Sequence, residues 1–159
     1  MKIVETLGNN DILKLPKTAF LCSRRVPASV VIKCYDWAIA QRDAGRCIIS
    51  GFHSQLEKDV MHYLLKGSQP IILVPARGLK KRLEPELKDA QNEKRLLIVT
   101  PFDKEVKRVT TESANLRNRL IVELADEIFV AYAQPGGNIE KLIIDISNKG
   151  KIISSFKTS

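Results

Sequence analysis

The segment TESANLRNRLIVELADEIFVAYAQPGGN, residues 111–138, contains the order of features on which the fold assignment depends. A polar stretch with two arginines around an asparagine is followed by an apolar run, an acid, a second apolar run and Pro-Gly-Gly. The pattern predicts a helix over Thr111–Leu124, a strand over Glu127–Ala133 and a glycine turn. Such a segment is either the phosphate-binding edge of a nucleotide-binding sheet or only a helix, a strand and a turn. The rest of the chain must decide between these two interpretations.

Short apolar runs recur at regular intervals, and they are continuous rather than alternating. The other five are Lys17–Ser23, Arg46–Gly51, Pro70–Pro75, Arg95–Thr100 and Lys151–Phe156. Continuous runs of this length are typical of strands that are covered on both faces, as in parallel sheets. Helical patterns lie between them over Ser29–Ala44, Gln55–Leu65, Leu83–Asn92 and Asn138–Asn148, with Ser29 and Asn138 placed to act as N-caps. In the helix over Thr111–Leu124, the predicted apolar stripe is Leu116, Leu120, Ile121 and Leu124.

This alternation of strand and helix predicts one α/β domain, Rossmann-like and doubly wound, with a mainly parallel sheet and helices on both faces. We expect this domain to span residues 17–159, and residues 1–16 to form an irregular N-terminal arm. The length of 159 residues is sufficient for one such domain with its own core.

Composition and charge restrict the class of protein. The net charge of +8 suits a polyanionic partner such as nucleic acid, although many small basic proteins have no such partner. Neither GxGxxG nor GxxxxGK[ST] is present, which disfavours ordinary dinucleotide and P-loop sites. The three cysteines share no metal-ligand spacing, and each lies in an apolar run where we expect it to be buried and reduced. Without a signal-peptide pattern or a membrane-spanning run, the sequence predicts a cytoplasmic protein with no membrane contact.

Candidate ligand-binding residues occur in the loops that follow the predicted strands, where α/β sheets bind their ligands. Ser23, Arg24 and Arg25 follow the first predicted strand and precede a helix start, where amides, a hydroxyl and guanidinium groups favour phosphate. The later loops add Ser50, Gly51, His53, Arg77, Lys80, Gly136 and Gly137. We predict no catalytic residue, no metal site and no cofactor.

Several stretches resemble one family. AFLCSRR (19–25), CIISGFHSQLEKDVMHYLL (47–65), IILVPARGL (71–79) and LRNRLIVELADEIFVAYA (116–133) are similar to successive motifs of the DNA-processing protein A (DprA/Smf) family. Its Rossmann-like domain belongs to a wider group that includes the LOG phosphoribohydrolases. By this resemblance, phosphate contacts are expected at Ser23, Arg24, Ser50, Gly51, Arg117, Asn118 and Arg119, the last three at a helix start. The resemblance also implies binding of single-stranded DNA, a homodimer, and contact with a recombinase.

The Pro-Gly-Gly turn distinguishes binding from catalysis. LOG enzymes carry Pro-Gly-Gly-x-Gly-Thr with a glutamate soon after, whereas this chain has Ile139 and Glu140 at the Gly-Thr positions. We therefore predict single-stranded nucleic-acid binding along a basic loop edge, without covalent chemistry. The alternatives are a nucleotide-binding sensor or LOG-like enzyme, and an interaction protein that kept the fold and lost the ligand.

Overall fold

Seven strands form one sheet in the computed structural model, which describes residues 2–147 and 149–156. The strands are β1 (Glu5–Gly8), β2 (Lys17–Cys22), β3 (Cys47–Ser50), β4 (Ile71–Leu73), β5 (Leu96–Thr100), β6 (Glu127–Tyr132) and β7 (Ile152–Ser155). Their order across the sheet is β1-β5-β4-β3-β2-β6-β7. All neighbours are parallel except β1, which pairs antiparallel with β5. The predicted mainly parallel, doubly wound sheet is confirmed.

Five helices connect the parallel strands. They are α1 (Ala28–Asp43), α2 (Gln55–Leu65), α3 (Pro85–Asn92), α4 (Thr111–Leu124) and α5 (Asn138–Ile146). Two predicted N-caps are wrong, because Pro27 caps α1 in place of Ser29 and Gly137 caps α5 in place of Asn138. Neither residue provides a side-chain hydrogen bond to the helix it caps. The predicted end of the last helix, Asn148, and residues 157–159 lie outside the described residues.

The core has two layers, one on each face of the sheet. Leu120 and Ile121 of α4 and Leu142 of α5 pack on one face. Residues of α1, α2 and α3, such as Ala38 and Leu64, pack on the other. The prediction of helices on both faces is therefore confirmed. Cys22, Cys34 and Cys47 are buried and free within these layers, as expected.

The segment before β2 is more ordered than the irregular arm that the sequence suggested. Strand β1 joins the edge of the sheet beside β5, and a 3₁₀ helix over Asn10–Lys14 buries Ile12 in the core. The buried ammonium group of Lys17 then donates to the carbonyl oxygens of Leu13 and Leu15, at 2.9 and 3.1 Å. These contacts attach the segment to the sheet.

In the part of the chain that the structure describes, no helix is long and apolar enough to span a membrane.

Candidate nucleic-acid interface

A cavity of about 470 Å³ opens at the carboxyl ends of β2 and β6. These two strands are neighbours, and the chain proceeds from them toward opposite edges of the sheet, so the cavity lies at the topological switch point. We call it the switch-point cavity; its polar lining is Ser23, Arg24, His53, Ser54, Glu57, Thr110, Thr111, Asn115, Arg117, Asn118, Gln134, Gly137 and Asn138. This position is where doubly wound sheets bind their ligands.

Three helix N-termini converge on the switch-point cavity. Ser54 precedes α2, Thr110 precedes α4 and Gly137 precedes α5, and all three line the cavity. Ser54 and Thr110 cap their own helices by accepting from the backbone N–H of Glu57 and Ser113. The N-terminus of α5 has no such side-chain cap. Because helix N-termini carry partial positive charge, their convergence favours an anionic ligand.

The loop after β2 is hydrogen-bonded to the end of β6 and to the loop that follows it. The backbone N–H of Ser23 donates to the carbonyl oxygen of Tyr132 at 2.8 Å, and its Oγ accepts from the N–H of Gln134 at 2.8 Å. These bonds hold the loops after β2 and β6 together, and they leave the Ser23 hydroxyl proton free to donate. Arg24 is exposed and lines the cavity, whereas the neighbouring Arg25 is exposed but does not line it.

The turn after β3 has a buried serine and a glycine that lies against the side chain of Arg117. Ser50 is fully buried, and its Oγ donates to the carbonyl oxygen of Phe20 at 3.0 Å. A Cβ on Gly51 would lie 2.2 Å from Nη1 of Arg117, so any larger residue here would displace the guanidinium from its observed position. The next residue, Phe52, has a φ of 45°, an uncommon conformation for a bulky side chain. The prediction of a phosphate contact from Ser50 is not supported, because this buried side chain lines neither cavity.

Arg117 is the buried cation of the site. Arg117 is only 5% exposed, yet it lines the switch-point cavity. Its Nε donates to Oδ1 of Asn118 at 2.8 Å and its Nη1 to the carbonyl oxygen of Val74 at 3.3 Å. Among the described residues, no carboxylate lies within 4.0 Å of its guanidinium and Nη2 has no hydrogen-bond partner. A buried charge without an ionic partner is costly, and an anion in the cavity would provide that partner.

Arg117 and Glu57 act in opposite directions on the pKa of His53 in the cavity. Burial lowers the pKa of Arg117, and the Glu57 carboxylate acts in the opposite direction. The arginine remains charged at neutral pH. Burial and the nearby Arg117 lower the pKa of His53 from its ordinary value, so its imidazole is mainly neutral at pH 7. The oxygens of Glu57 accept from the backbone N–H groups of His53 and Ser54, at 3.2 and 2.9 Å.

Arg77 and Lys80 line a second cavity of about 320 Å³. This cavity lies between the loop after β4, residues 75–80, and the elements α2, α3, β1 and β5, and we call it the β4-loop cavity. His53 and Arg117 line both cavities, so the two are neighbours on one edge of the sheet. The predicted cationic loops after β2 and β4 therefore share an edge but do not form one pocket.

Two further predicted residues lie outside both cavities. The guanidinium of Arg119 pairs with Asp145 on α5, with 3.0 Å between Nη2 and Oδ2. Gly136 donates its backbone N–H to Oε1 of Glu140 at 3.0 Å, and its φ of 75° is a left-handed conformation that glycine tolerates. By contrast, Asn118 and Gly137 line the switch-point cavity.

The predicted position of the Arg-Asn-Arg motif at a helix start is wrong. Helix α4 begins at Thr111, so Arg117 lies near its middle, and Arg117 and Asn118 reach the cavity from the side of the helix. Sequence reasoning also missed Thr110, Asn115, Gln134 and Asn138 as cavity-lining residues. A signal for the first was available, because Thr110 directly precedes the predicted helix and threonine is a preferred N-cap.

Comparison with known proteins identifies the family. No curated protein sequence matches the chain significantly. Among solved structures, DNA processing protein A from Helicobacter pylori, described with a unique single-stranded DNA binding mode, superposes with a TM-score of 0.77 at 19% identity. The match covers 97% of this chain and 71% of that one. DNA processing protein A (DprA) from Streptococcus pneumoniae also has a TM-score of 0.77, at 21% identity over 97% of this chain and 54% of that one.

A more distant similarity has a TM-score of 0.58 at 10% identity, to the molybdenum cofactor binding protein from Rippkaea orientalis, over 89% of this chain and 77% of that one. These similarities establish the fold. The chain spans about half the length of the S. pneumoniae protein, 54%. The family model for DNA recombination-mediator protein A matches residues 3–140, which confirms the resemblance noted in the sequence. The chain therefore belongs to the DNA recombination-mediator protein A (DprA) family.

Proposed function

We propose that the chain binds single-stranded DNA in the cytoplasm, with the phosphate backbone contacting the switch-point cavity and the cations beside it. The observation that carries this proposal is the buried guanidinium of Arg117, which has no ionic partner within 4.0 Å among the described residues. It lies in a cavity bordered by three helix N-termini and Arg24. These groups favour a phosphate oxygen without any covalent step.

The proposed path continues from the switch-point cavity to the β4-loop cavity. Arg24 and Arg117 would hold the first phosphates, and Arg77 and Lys80 the following ones, because Arg117 lines both cavities. The single-stranded DNA binding described for the H. pylori protein supports this choice of partner. Membership of the same family supports it further.

A salt titration tests the proposal. If about four phosphates are neutralised, the logarithm of affinity should fall by about 3 per log unit of salt, or roughly fiftyfold between about 50 and 200 mM. Fluorescence anisotropy of a labelled oligonucleotide measures this directly. Arg24→Ala and Arg117→Ala should each weaken binding and reduce the slope by about 0.7.

Arg46→Ala is the matched control, because it removes the same charge from the opposite edge of the sheet, where Arg46 lines a separate pocket with Cys47 and Asp126. Equal effects of Arg24→Ala and Arg46→Ala would mean that only net charge matters, and the proposed site would be rejected. A thermal shift with a mononucleotide, combined with no oligonucleotide binding at low salt, would instead favour the nucleotide-binding alternative.

The family resemblance adds two features to the proposal, a homodimer and transfer of the strand to a recombinase. Support for self-association comes from Ile144 on α5 and Ile152 on the edge strand β7, which are 63% and 66% exposed. Light scattering of the purified chain and of an Ile152→Lys variant tests the dimer. A pull-down with a purified recombinase, with and without oligonucleotide, tests the transfer.

A further inference from the structure

Two of the buried cysteines form a pair beside the switch-point cavity. Cys22 is the last residue of β2, and Cys34 lies on α1, which packs on the same face of the sheet. The two side chains are joined by a hydrogen bond, and both belong to one core layer. Thiols in direct contact are the arrangement from which a disulfide forms.

The switch-point cavity gives one of these thiols access to solvent. Cys22 lines the cavity and is 7% exposed, whereas Cys34 is fully buried. A cavity of about 470 Å³ admits a molecule as small as hydrogen peroxide, so an oxidant can reach the sulfur of Cys22 without unfolding of the chain. Ser23 and Arg24 directly follow Cys22 and line the same cavity, so a strand bound there would cover this route.

The contact between the two thiols favours the loss of one proton from the pair. The hydrogen bond from Cys22 lowers the pKa of Cys34 from its ordinary value, although burial acts in the opposite direction. The same contact and burial raise the pKa of Cys22, while a backbone hydrogen bond from Tyr132 favours the thiolate of Cys22. The two thiols therefore titrate as one unit, and the proton that remains is shared between the two sulfurs.

We propose that Cys22 and Cys34 form an oxidative modification site, in which hydrogen peroxide that enters the switch-point cavity converts the two thiols to a disulfide unless DNA occupies the cavity. The sulfur of Cys22 attacks one peroxide oxygen, the O–O bond breaks, and the hydroxide that leaves takes up the proton released by the pair. The sulfur of Cys34 then attacks the sulfenic acid on Cys22, the S–O bond breaks, and a second water leaves with the remaining thiol proton. Two thiols are oxidised and one peroxide is reduced to two waters. Only the protection by DNA rests on the proposed function.

Peroxide treatment of the DNA-free protein, followed by alkylation in denaturant, tests the pair. The intact mass should show one alkylated thiol, that of Cys47, whereas the untreated protein should show three. Trypsin cleaves after Arg24 and Lys33, so fragments 18–24 and 34–42 of the oxidised protein should stay joined until a reductant is added. Three alkylated thiols, a disulfide to Cys47, or a sulfinic acid in place of the disulfide would overturn the proposal.

Cys47 provides the matched control. It is buried in the other core layer, it lines a pocket at the opposite edge of the sheet, and burial raises its pKa to about 12. Cys47→Ala should therefore leave the linked fragments and their rate of formation unchanged. Cys34→Ala should prevent the linkage and leave a sulfenic acid on Cys22, which dimedone traps. If either variant does not fold, the fragment map of the wild type still decides the pair.

A bound oligonucleotide tests the access route. At a free strand concentration about ten times the dissociation constant, roughly nine-tenths of the protein is occupied, so the rate of disulfide formation should fall about tenfold. Because peroxide is uncharged, the charge of the strand does not alter its approach. A strand that binds without slowing the oxidation would overturn the route through the cavity. If no strand binds at low salt, the proposed DNA binding fails, and the fragment map alone decides the modification site.

Discussion

Replacing Gly51 with alanine would place a methyl carbon against the buried guanidinium of Arg117. The added Cβ would lie 2.2 Å from Nη1, 2.5 Å from Cζ and 2.9 Å from Nε, whereas ordinary contacts begin near 3.4 Å. The guanidinium must therefore move by about 1 Å. Because a cavity lies on each side of Arg117, we expect the side chain to move while the backbone stays in place.

This displacement should affect DNA binding more than folding. The bond from Nη1 to the carbonyl oxygen of Val74 is already 3.3 Å long and should be lost, at a cost of about 1.5 kcal/mol for a bond from a charged donor. Such a loss lowers the melting temperature of a domain of this size by about 3–6 °C. The proposed phosphate contact would lose its alignment, so the dissociation constant for an oligonucleotide should rise about tenfold.

A double-mutant cycle isolates the cause. Anisotropy titrations of Gly51→Ala, Arg117→Ala and the double variant should show that the alanine at position 51 costs almost nothing once the guanidinium is absent. Scanning fluorimetry of the wild type and these three variants should give the same pattern for stability. If Gly51→Ala weakens binding equally in both backgrounds, the effect does not act through Arg117 and the steric argument is refuted.

Three further variants test the surroundings of the site. His53 has a lowered pKa because of burial and the nearby Arg117. Protonation of His53 between pH 7 and 5 should therefore strengthen DNA binding and destabilise the free protein. His53→Gln should abolish both trends in titrations at fixed salt. Glu140→Gln keeps an acceptor for the Gly136 N–H but removes a negative charge at the start of α5, so the dissociation constant should fall about two- to fivefold at low salt and match wild type at high salt. Arg119→Ala should change oligonucleotide affinity by less than about twofold, because this guanidinium pairs with Asp145 outside both cavities. A loss of affinity as large as that of Arg117→Ala would contradict the placement of Arg119 outside the DNA-binding site.

The parallel strands β2 to β6 could be predicted because each is short, continuous and mainly apolar, as burial on both faces requires. Strand β1 could not be predicted in the same way. It has only four residues, Glu5–Gly8, and alternates between half-buried and exposed positions as an edge strand does. Its pairing with β5 joins positions more than 85 residues apart, such as Gly8 and Leu97, which no local pattern specifies.

Both candidate cavities lie at the edge of the sheet where the sequence analysis placed the binding residues, but the burial of Arg117 was not predicted. The apolar stripe of α4 included Leu116, yet that residue is 36% exposed and the adjacent Arg117 occupies the buried position. Arg117 lies four residues after Ser113 and three before Leu120, all buried, so the sequence contained a charged residue on the inward face of a helix. A charged residue there is normally assigned to the surface, and Gly51 is what allows the guanidinium to be accommodated.

Strand β1 also gives the β4-loop cavity a dynamic property. Leu7 forms part of the cavity wall and lies in a strand that pairs only with β5 among the described strands. The backbone N–H of Lys104 donates a hydrogen bond to Oε1 of Glu5 in the same strand, at 3.1 Å. Edge strands open locally at a lower free energy than central ones. Filling the cavity should therefore shift the population toward the closed strand, by an amount that grows with the logarithm of ligand concentration. Amide hydrogen exchange in β1, residues 5–8, would then report occupancy of a cavity whose other walls come from positions 51–117.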